Sequence, residues 1–170
     1  MFKAYLRGGD VFSSEPQAFT LNEKSYFGEK KSGRVYFSSF ESLYLVKRGK
    51  MEIVRIKKGV TYEELLSIFR RKDKDFELKF AVYEDLRSRG YVVKSALKFG
   101  ADFRVYEKGA KVSKAHSRWL VFVTSEGERL KWQEFVARNR VAHSTKKKLL
   151  IAIVDEEREV SYFEVSWLRP

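Results

Sequence analysis

The chain contains no cysteine, so disulfides, thiolate zinc sites and cysteine nucleophiles drop out together. Histidine is almost as scarce, with His116 and His143 the only two among 170 residues. There is no H-E-x-x-H, no G-x-x-x-x-G-K-[ST], and no His/Cys cluster with metal-ligand spacing. No nucleophile elbow supports a serine triad. Long apolar runs are missing too. The longest, LLIAIV at 149–154, falls far short of the ~20 residues a membrane span needs. The opening MFKAYLRGGD has no apolar signal core, so the expectation is a cytoplasmic protein without a membrane partner.

What is present is charge and aromatic surface. Hydrophobic residues make up 44% of the chain and aromatics 15%, enough for a packed core and too much for wholesale disorder. Thirty-five Lys and Arg face twenty-three Asp and Glu, a formal net charge of +12. A charge-rich surface of the thermophilic kind explains many charges of both signs, but not a surplus of one. The surplus points to a polyanionic partner, most simply nucleic acid.

Periodicity predicts an α+β chain in two parts. A strand at 2–6 and a turn at GGD precede a polar helix-like stretch ending at Gly28. RVYFS (34–38) alternates as a strand, and Ser38 and Glu41 then stand at capping-box spacing before a helix stopped by Gly49. After a strand at 52–56, Thr61 and Glu64 make a second capping box. These elements form a small mixed α/β N-terminal unit, residues 1–70. DFELKFAVYEDLRSRG then spaces Phe76, Phe80, Tyr83 and Leu86 as a helix capped by Gly90. Strands at YVVKSA, DFRVY and RWLVFVTS follow, with a helix at about 130–147 and strands LLIAIV and SYFEVSW. This second unit, residues 74–170, reads as a β-rich α/β domain with a central mixed sheet flanked by helices.

Asp75, Glu77 and Lys79 imitate the carboxylate and E-x-K pattern of metal-dependent nucleases. That pattern needs a strand, where residues two apart share a face. Here the apolar period is helical and sends Glu77 and Lys79 to different sides, so the reading is a solvated helix face.

Taken singly, Tyr106, His116 and the lysines of STKKKLL have plain readings: a strand-end aromatic, a surface histidine, and an exposed helix terminus complementing the dipole. His143 reads as helix packing or a side-chain hydrogen bond. Taken together with their flanking text, YEDLRSRGYVVKSALKFGADFRVY, AHS and RVAHSTKKKLLIAIVDEE closely resemble the archaeal tRNA-splicing endonucleases from about residue 75 to 167. The N-terminal YFGEKKSGRVYFSSFESLYLVKRGKMEI resembles that family's accessory domain.

The resemblance implies a tRNA-intron lyase acting on precursor tRNA at bulge-helix-bulge sites, with no cofactor. In the family pattern a Tyr is followed ten residues on by a His, and about thirty further by a Lys on the helix before a long apolar strand. Tyr106, His116 and Lys147 fill it. The implied roles are Tyr106 as base on the 2′-hydroxyl, His116 as acid on the departing 5′-oxygen, and Lys147 as cationic stabiliser. A free tyrosine has a pKa near ~10, so Lys147 must lower it or Tyr106 orients the 2′-hydroxyl instead. Histidine is the side-chain type whose unperturbed pKa, ~6.5, lies nearest neutrality, which suits the acid role the resemblance gives His116. The loop 107–115 brings Lys108, Lys111 and Lys114 as extra charge.

Arg140, seven positions before Lys147, matches the family's base-clamp arginine, and Trp167 or Arg169 stands at the partner position. A plain phosphate contact explains Arg140 as well, and packing explains Trp167. The acidic Asp155, Glu156 and Glu157 stand where relatives insert a loop into a neighbouring subunit, although a solvated hairpin turn has the same composition. The implied assembly is a homotetramer, or a heterotetramer with a non-catalytic sister subunit. An RNA-binding scaffold subunit without catalysis is the alternative function.

Overall fold

Phe2, Ala4 and Leu6 point into a core while Lys3, Tyr5 and Arg7 face out, which makes β1 (Phe2–Arg7) a half-buried strand of period two. Gly8 and Gly9 take φ of +62° and +94° and close a two-residue hairpin, with Arg7 opposite Asp10 on β2 (Asp10–Ser13). The computed structural model describes residues 1–112 and 115–168, and the chain divides into two units, Met1–Phe76 and Glu77–Pro170.

The first unit continues with α1 (Pro16–Ser25), β3 (Glu29–Lys31), β4 (Arg34–Phe37), α2 (Ser39–Lys47), β5 (Met51–Arg55), β6 (Lys58–Val60) and α3 (Tyr62–Arg70). Its six strands form one mixed sheet in the order β3-β4-β2-β1-β5-β6, with β1 parallel to β5. The stretch before Gly28, expected as a turn and one helix, in fact contains β2 and α1, and β3 follows Gly28. Strands of three or four residues carry too little alternation to be read alone; pairing with β1 and β4 makes them strands.

Both expected capping boxes form. Ser38 and Thr61 accept from the N–H of Glu41 and Glu64, whose carboxylates accept from the Ser38 and Thr61 N–H in return. They differ in depth. Glu64 lies at an exposed helix start. Glu41 is only 4% exposed, and its second oxygen accepts the Gly28 N–H at 2.9 Å, tying α2 to the chain before β3. Glu41→Ala leaves two backbone donors without an acceptor and should cost about 2–4 kcal/mol. Glu64→Ala should cost about 1 kcal/mol or less. Chemical denaturation of both variants measures the difference, and equal losses would refute the buried role of Glu41.

The second unit holds α4 (Phe76–Ser88), β7 (Val92–Ser95), a 3-10 turn at Leu97–Phe99, β8 (Phe103–Tyr106), β9 (Trp119–Ser125), α5 (Trp132–Ser144), β10 (Lys148–Val154) and β11 (Val160–Val165). The sheet order is β11-β10-β9-β8-β7, antiparallel except for the parallel pair β9–β10. Helices cover opposite faces. Phe103 packs on Tyr83 of α4 at 5.8 Å, and Tyr162 of β11 donates to Asp85 of α4 at 2.8 Å. On the other face Leu120, Phe122, Leu149 and Ile151 cluster with Ala142 of α5, joined by Phe99 and Val165. No helix among the described residues is long and apolar enough to cross a membrane.

Candidate active site

The sheet brings one end of three strands to one edge. β8 runs antiparallel to β9 and β10 runs parallel to it, so the last residue of β8 meets the first residues of β9 and β10. Arg118 is the tie: its N–H donates to the Val105 carbonyl at 2.9 Å, and its carbonyl accepts from the Lys148 N–H at 2.9 Å. Tyr106 follows Val105, His116 lies two residues before Arg118, and Lys147 precedes Lys148. Strands are ~4.8 Å apart, so the backbones of Tyr106 and Lys147 stand about 10 Å apart across β9.

Tyr106 is buried, 5% exposed, on the sheet face that carries Arg104 opposite Leu120. His116 is exposed. No hydrogen bond joins any two of Tyr106, His116 and Lys147 among the described residues.

The loop between Tyr106 and His116 is closed at its neck by an ion pair between Glu107 and Arg118, whose guanidinium is held more firmly protonated by that carboxylate. Gly109 takes φ +76° in the turn, and the Ala115 N–H donates to the Lys111 carbonyl at 2.8 Å. Of the loop lysines, Lys108 lays its ammonium over the Tyr91 ring at 4.9 Å, and that ring meets Trp119 edge-on at 5.9 Å. Its charge is therefore engaged on an aromatic, whereas Lys111 is exposed. Lys114 lies outside the described residues. The Glu107–Arg118 neck was not foreseen. Its sequence signal is an opposite-charge pair at the two ends of the loop, Glu107 directly after Tyr106 and Arg118 two residues beyond His116.

Lys147 is placed by a helix ending. The helix expected to reach residue 147 begins at Trp132 and stops at Ser144, so Lys147 lies beyond it. Lys146 takes φ +56°, the left-handed conformation usually given to glycine. The Lys146 N–H donates to His143 O at 3.0 Å and the Lys147 N–H to Ala142 O at 2.8 Å, closing a Schellman turn. Lys148 then enters β10. The Lys147 ammonium donates to Thr145 O at 3.0 Å and lies 5.5 Å from the Phe99 ring centre. Burial, then the charges of Arg104 and Lys98, hold its pKa below the usual lysine range. It releases its proton at lower pH than a free lysine does, and a neighbouring anion opposes that release.

The remaining candidates sit around this edge or opposite it. Val165 pairs with Leu149, so Trp167 and Lys147 each stand two residues beyond that pair. Trp167 is 51% exposed and meets His143 edge-on at 4.5 Å. His143 is exposed at the end of α5 rather than packed in the core, and Arg140, also exposed, lies one turn earlier on the same side. Arg169 lies outside the described residues. At the opposite edge, the β10–β11 hairpin turns on Asp155, whose carboxylate accepts the Glu159 N–H at 2.8 Å; Glu156 and Glu157 are exposed. Glu77 faces Arg158 and Lys79 faces Asp102, each at 3.6 Å, so the E-x-K residues diverge as the helical reading requires.

The Schellman turn generates a test. Glycine at 146 removes the left-handed cost of about 1 kcal/mol, and a β-branched residue adds to it. Lys146→Gly should keep or raise the thermal midpoint. Lys146→Ile should lower it and displace Lys147, as a shift in the Lys147 side-chain NMR signals shows. Equal midpoints for the two variants would contradict the geometry.

Residues 76–162 match the model for the tRNA intron endonuclease catalytic C-terminal domain, and residues 2–66 match that for the tRNA intron endonuclease N-terminal domain. A tRNA-splicing endonuclease of Thermococcus gammatolerans is 45% identical over 170 residues, 99% of each chain. That of Pyrococcus abyssi is 43% identical over 167 residues, 97% of this chain and 95% of its own. That of Methanothermobacter thermautotrophicus is 39% identical over 150 residues, 88% of this chain and 87% of its own.

Proposed function

The chain belongs to the tRNA intron endonuclease family, and on that footing we propose that it excises introns from precursor tRNA at bulge-helix-bulge sites by metal-independent transesterification. The observation that supports this reading is the shared sheet edge, where one pair of backbone hydrogen bonds through Arg118 brings the chain at Tyr106 and at Lys147 to one row, with His116 two residues before Arg118. RNA supplies its own nucleophile. Tyr106, as its phenolate, takes the proton of the 2′-hydroxyl, the 2′-oxygen forms a bond to the adjacent phosphorus, and the bond from phosphorus to the 5′-oxygen breaks. His116 gives its proton to that oxygen, and Lys147 offsets the charge building on the phosphoryl oxygens. The products are a 2′,3′-cyclic phosphate and a 5′-hydroxyl.

Arg140 and Trp167 hold a flipped bulge base in this reading. Their place beside His143 near the same edge supports it. Stacking of this kind is worth roughly 1–3 kcal/mol per base. Cleavage belongs to residues 74–170, with 1–70 as an accessory unit.

The purified chain should cut a bulge-helix-bulge RNA in EDTA and leave the stated end groups. His116→Ala and Lys147→Ala should each lower single-turnover cleavage by about 10²–10⁴-fold with RNA binding retained. Salt-sensitive binding without scission would favour the scaffold alternative instead, and loss of activity in EDTA would favour a metal nuclease.

The assembly that fits best is a homotetramer. β11 is an outermost strand of its sheet and carries Phe163, 54% exposed, ahead of Trp167, while the exposed Glu156 and Glu157 seek cations in a basic chain. Light scattering should give about four times the chain mass of 20.0 kDa. The double variant Glu156→Lys, Glu157→Lys should give a smaller species. An unchanged mass would remove the acidic hairpin from the interface.

A further inference from the structure

Arg104 has no use in the reaction as derived, and its surroundings are costly. Its Nε is buried and makes no hydrogen bond. Lys94 stands directly opposite it on β7, a like-charge pair that opposes strand pairing. Lys98 and Lys147 place their ammonium groups 5.3 and 5.5 Å from one Phe99 ring, so a third and a fourth cation close on the same face. Burial first, then the charges of Arg104 and Lys98, lower the proton affinity of Lys147, in keeping with the closeness of these cations. Repulsion concentrated at a half-buried donor without an acceptor is what an anion site looks like when empty of its anion.

Position selects the anion. Arg104 and Tyr106 are two residues apart on β8 and share a face, so Arg104 lies about 7 Å along the strand from the tyrosine. That is the scale of one nucleotide step on an unstacked strand. We propose that Arg104 and Lys98 form a second phosphate subsite beside Lys147, taking the phosphodiester adjacent to the scissile one on the cleaved strand. This rests on the cleavage reading above for the identity of the RNA, and it assigns the two residues to binding rather than to bond making.

The test uses the full chain and a bulge-helix-bulge RNA carrying a 2′-deoxy sugar at each cleavage position, so that binding is read without scission. Arg104→Gln and Lys98→Ala should each weaken binding by about tenfold, and each should lower the slope of log K against log salt by about 0.7, the value for one single-strand contact. With the cleavable RNA at saturation, both variants should cut within about threefold of the unsubstituted rate, the reverse of Lys147→Ala. Arg104→Lys should recover most of the binding. Because Arg104→Gln removes a repulsion, its thermal midpoint should not fall, which a purely structural arginine would not allow. Lys98 is exposed, so its variant reads the subsite even if the Arg104 variant folds poorly.

An unchanged salt slope in both variants overturns the subsite. So does a lost rate at saturation with intact binding, which would make Arg104 a contact to the scissile phosphate. Absence of cleavage by the unsubstituted chain counts against the proposed reaction, while the 2′-deoxy binding measurements still decide the subsite.

Discussion

The two hydrogen bonds made by the Arg118 backbone, to Val105 on one side and Lys148 on the other, set everything at the candidate site. They put an antiparallel and a parallel neighbour on one strand start, so three chain segments far apart in sequence end on one row. Side chains alone do not achieve this, because Tyr106, His116 and Lys147 make no hydrogen bonds to one another. The neighbouring contacts protect the row. The Glu107–Arg118 ion pair closes the loop, and Glu164 accepts from Trp119 Nε1 at 2.7 Å and from Lys148, fastening β11 beside β10.

The electrostatics of the row follow from its position. Lys147 leaves the helix in a left-handed turn and comes to rest against Phe99, partly desolvated, with Arg104 and Lys98 nearby. A cation held in this way gives up its proton more readily than a free lysine, and negative charge beside it opposes that loss. In the proposed cleavage, the same burial that depresses its proton affinity would strengthen its attraction for charge developing on phosphorus. Positive charge is not confined to this unit. Residues 1–76 carry sixteen basic against ten acidic side chains and residues 77–170 nineteen against thirteen, so both units present a surplus to RNA.

Local signals in the chain were legible where the physics is local. The capping boxes at Ser38–Glu41 and Thr61–Glu64, the helix through Phe80 and Tyr83, and the apolar strand before the acidic hairpin each depend on residues within a few positions. β2, β3 and β6 escaped because strands of three or four residues are defined by their partners. The last turn of α5 was overrun because lysine, unlike glycine, gives no warning of a left-handed cap. The sequence places His143 beside apolar positions, which suggests packing, yet it is exposed at the end of α5, and the chain after β11 brings Trp167 edge-on to it.

Composition, spacing and flanking text by themselves determined a cysteine-free, basic α+β chain of two parts, and the three side chains on which cleavage is proposed to rest. Those properties are carried by residue identity and by short-range periodicity, which folding does not alter. Only the tertiary structure decided that β8, β9 and β10 share an edge, that the Glu107–Arg118 pair closes the loop, and that the Arg104 Nε is buried without a hydrogen bond, opposite Lys94 and near Lys98 and Lys147. These are through-space relations between residues from about six to more than forty positions apart, created by strand pairing and sheet order.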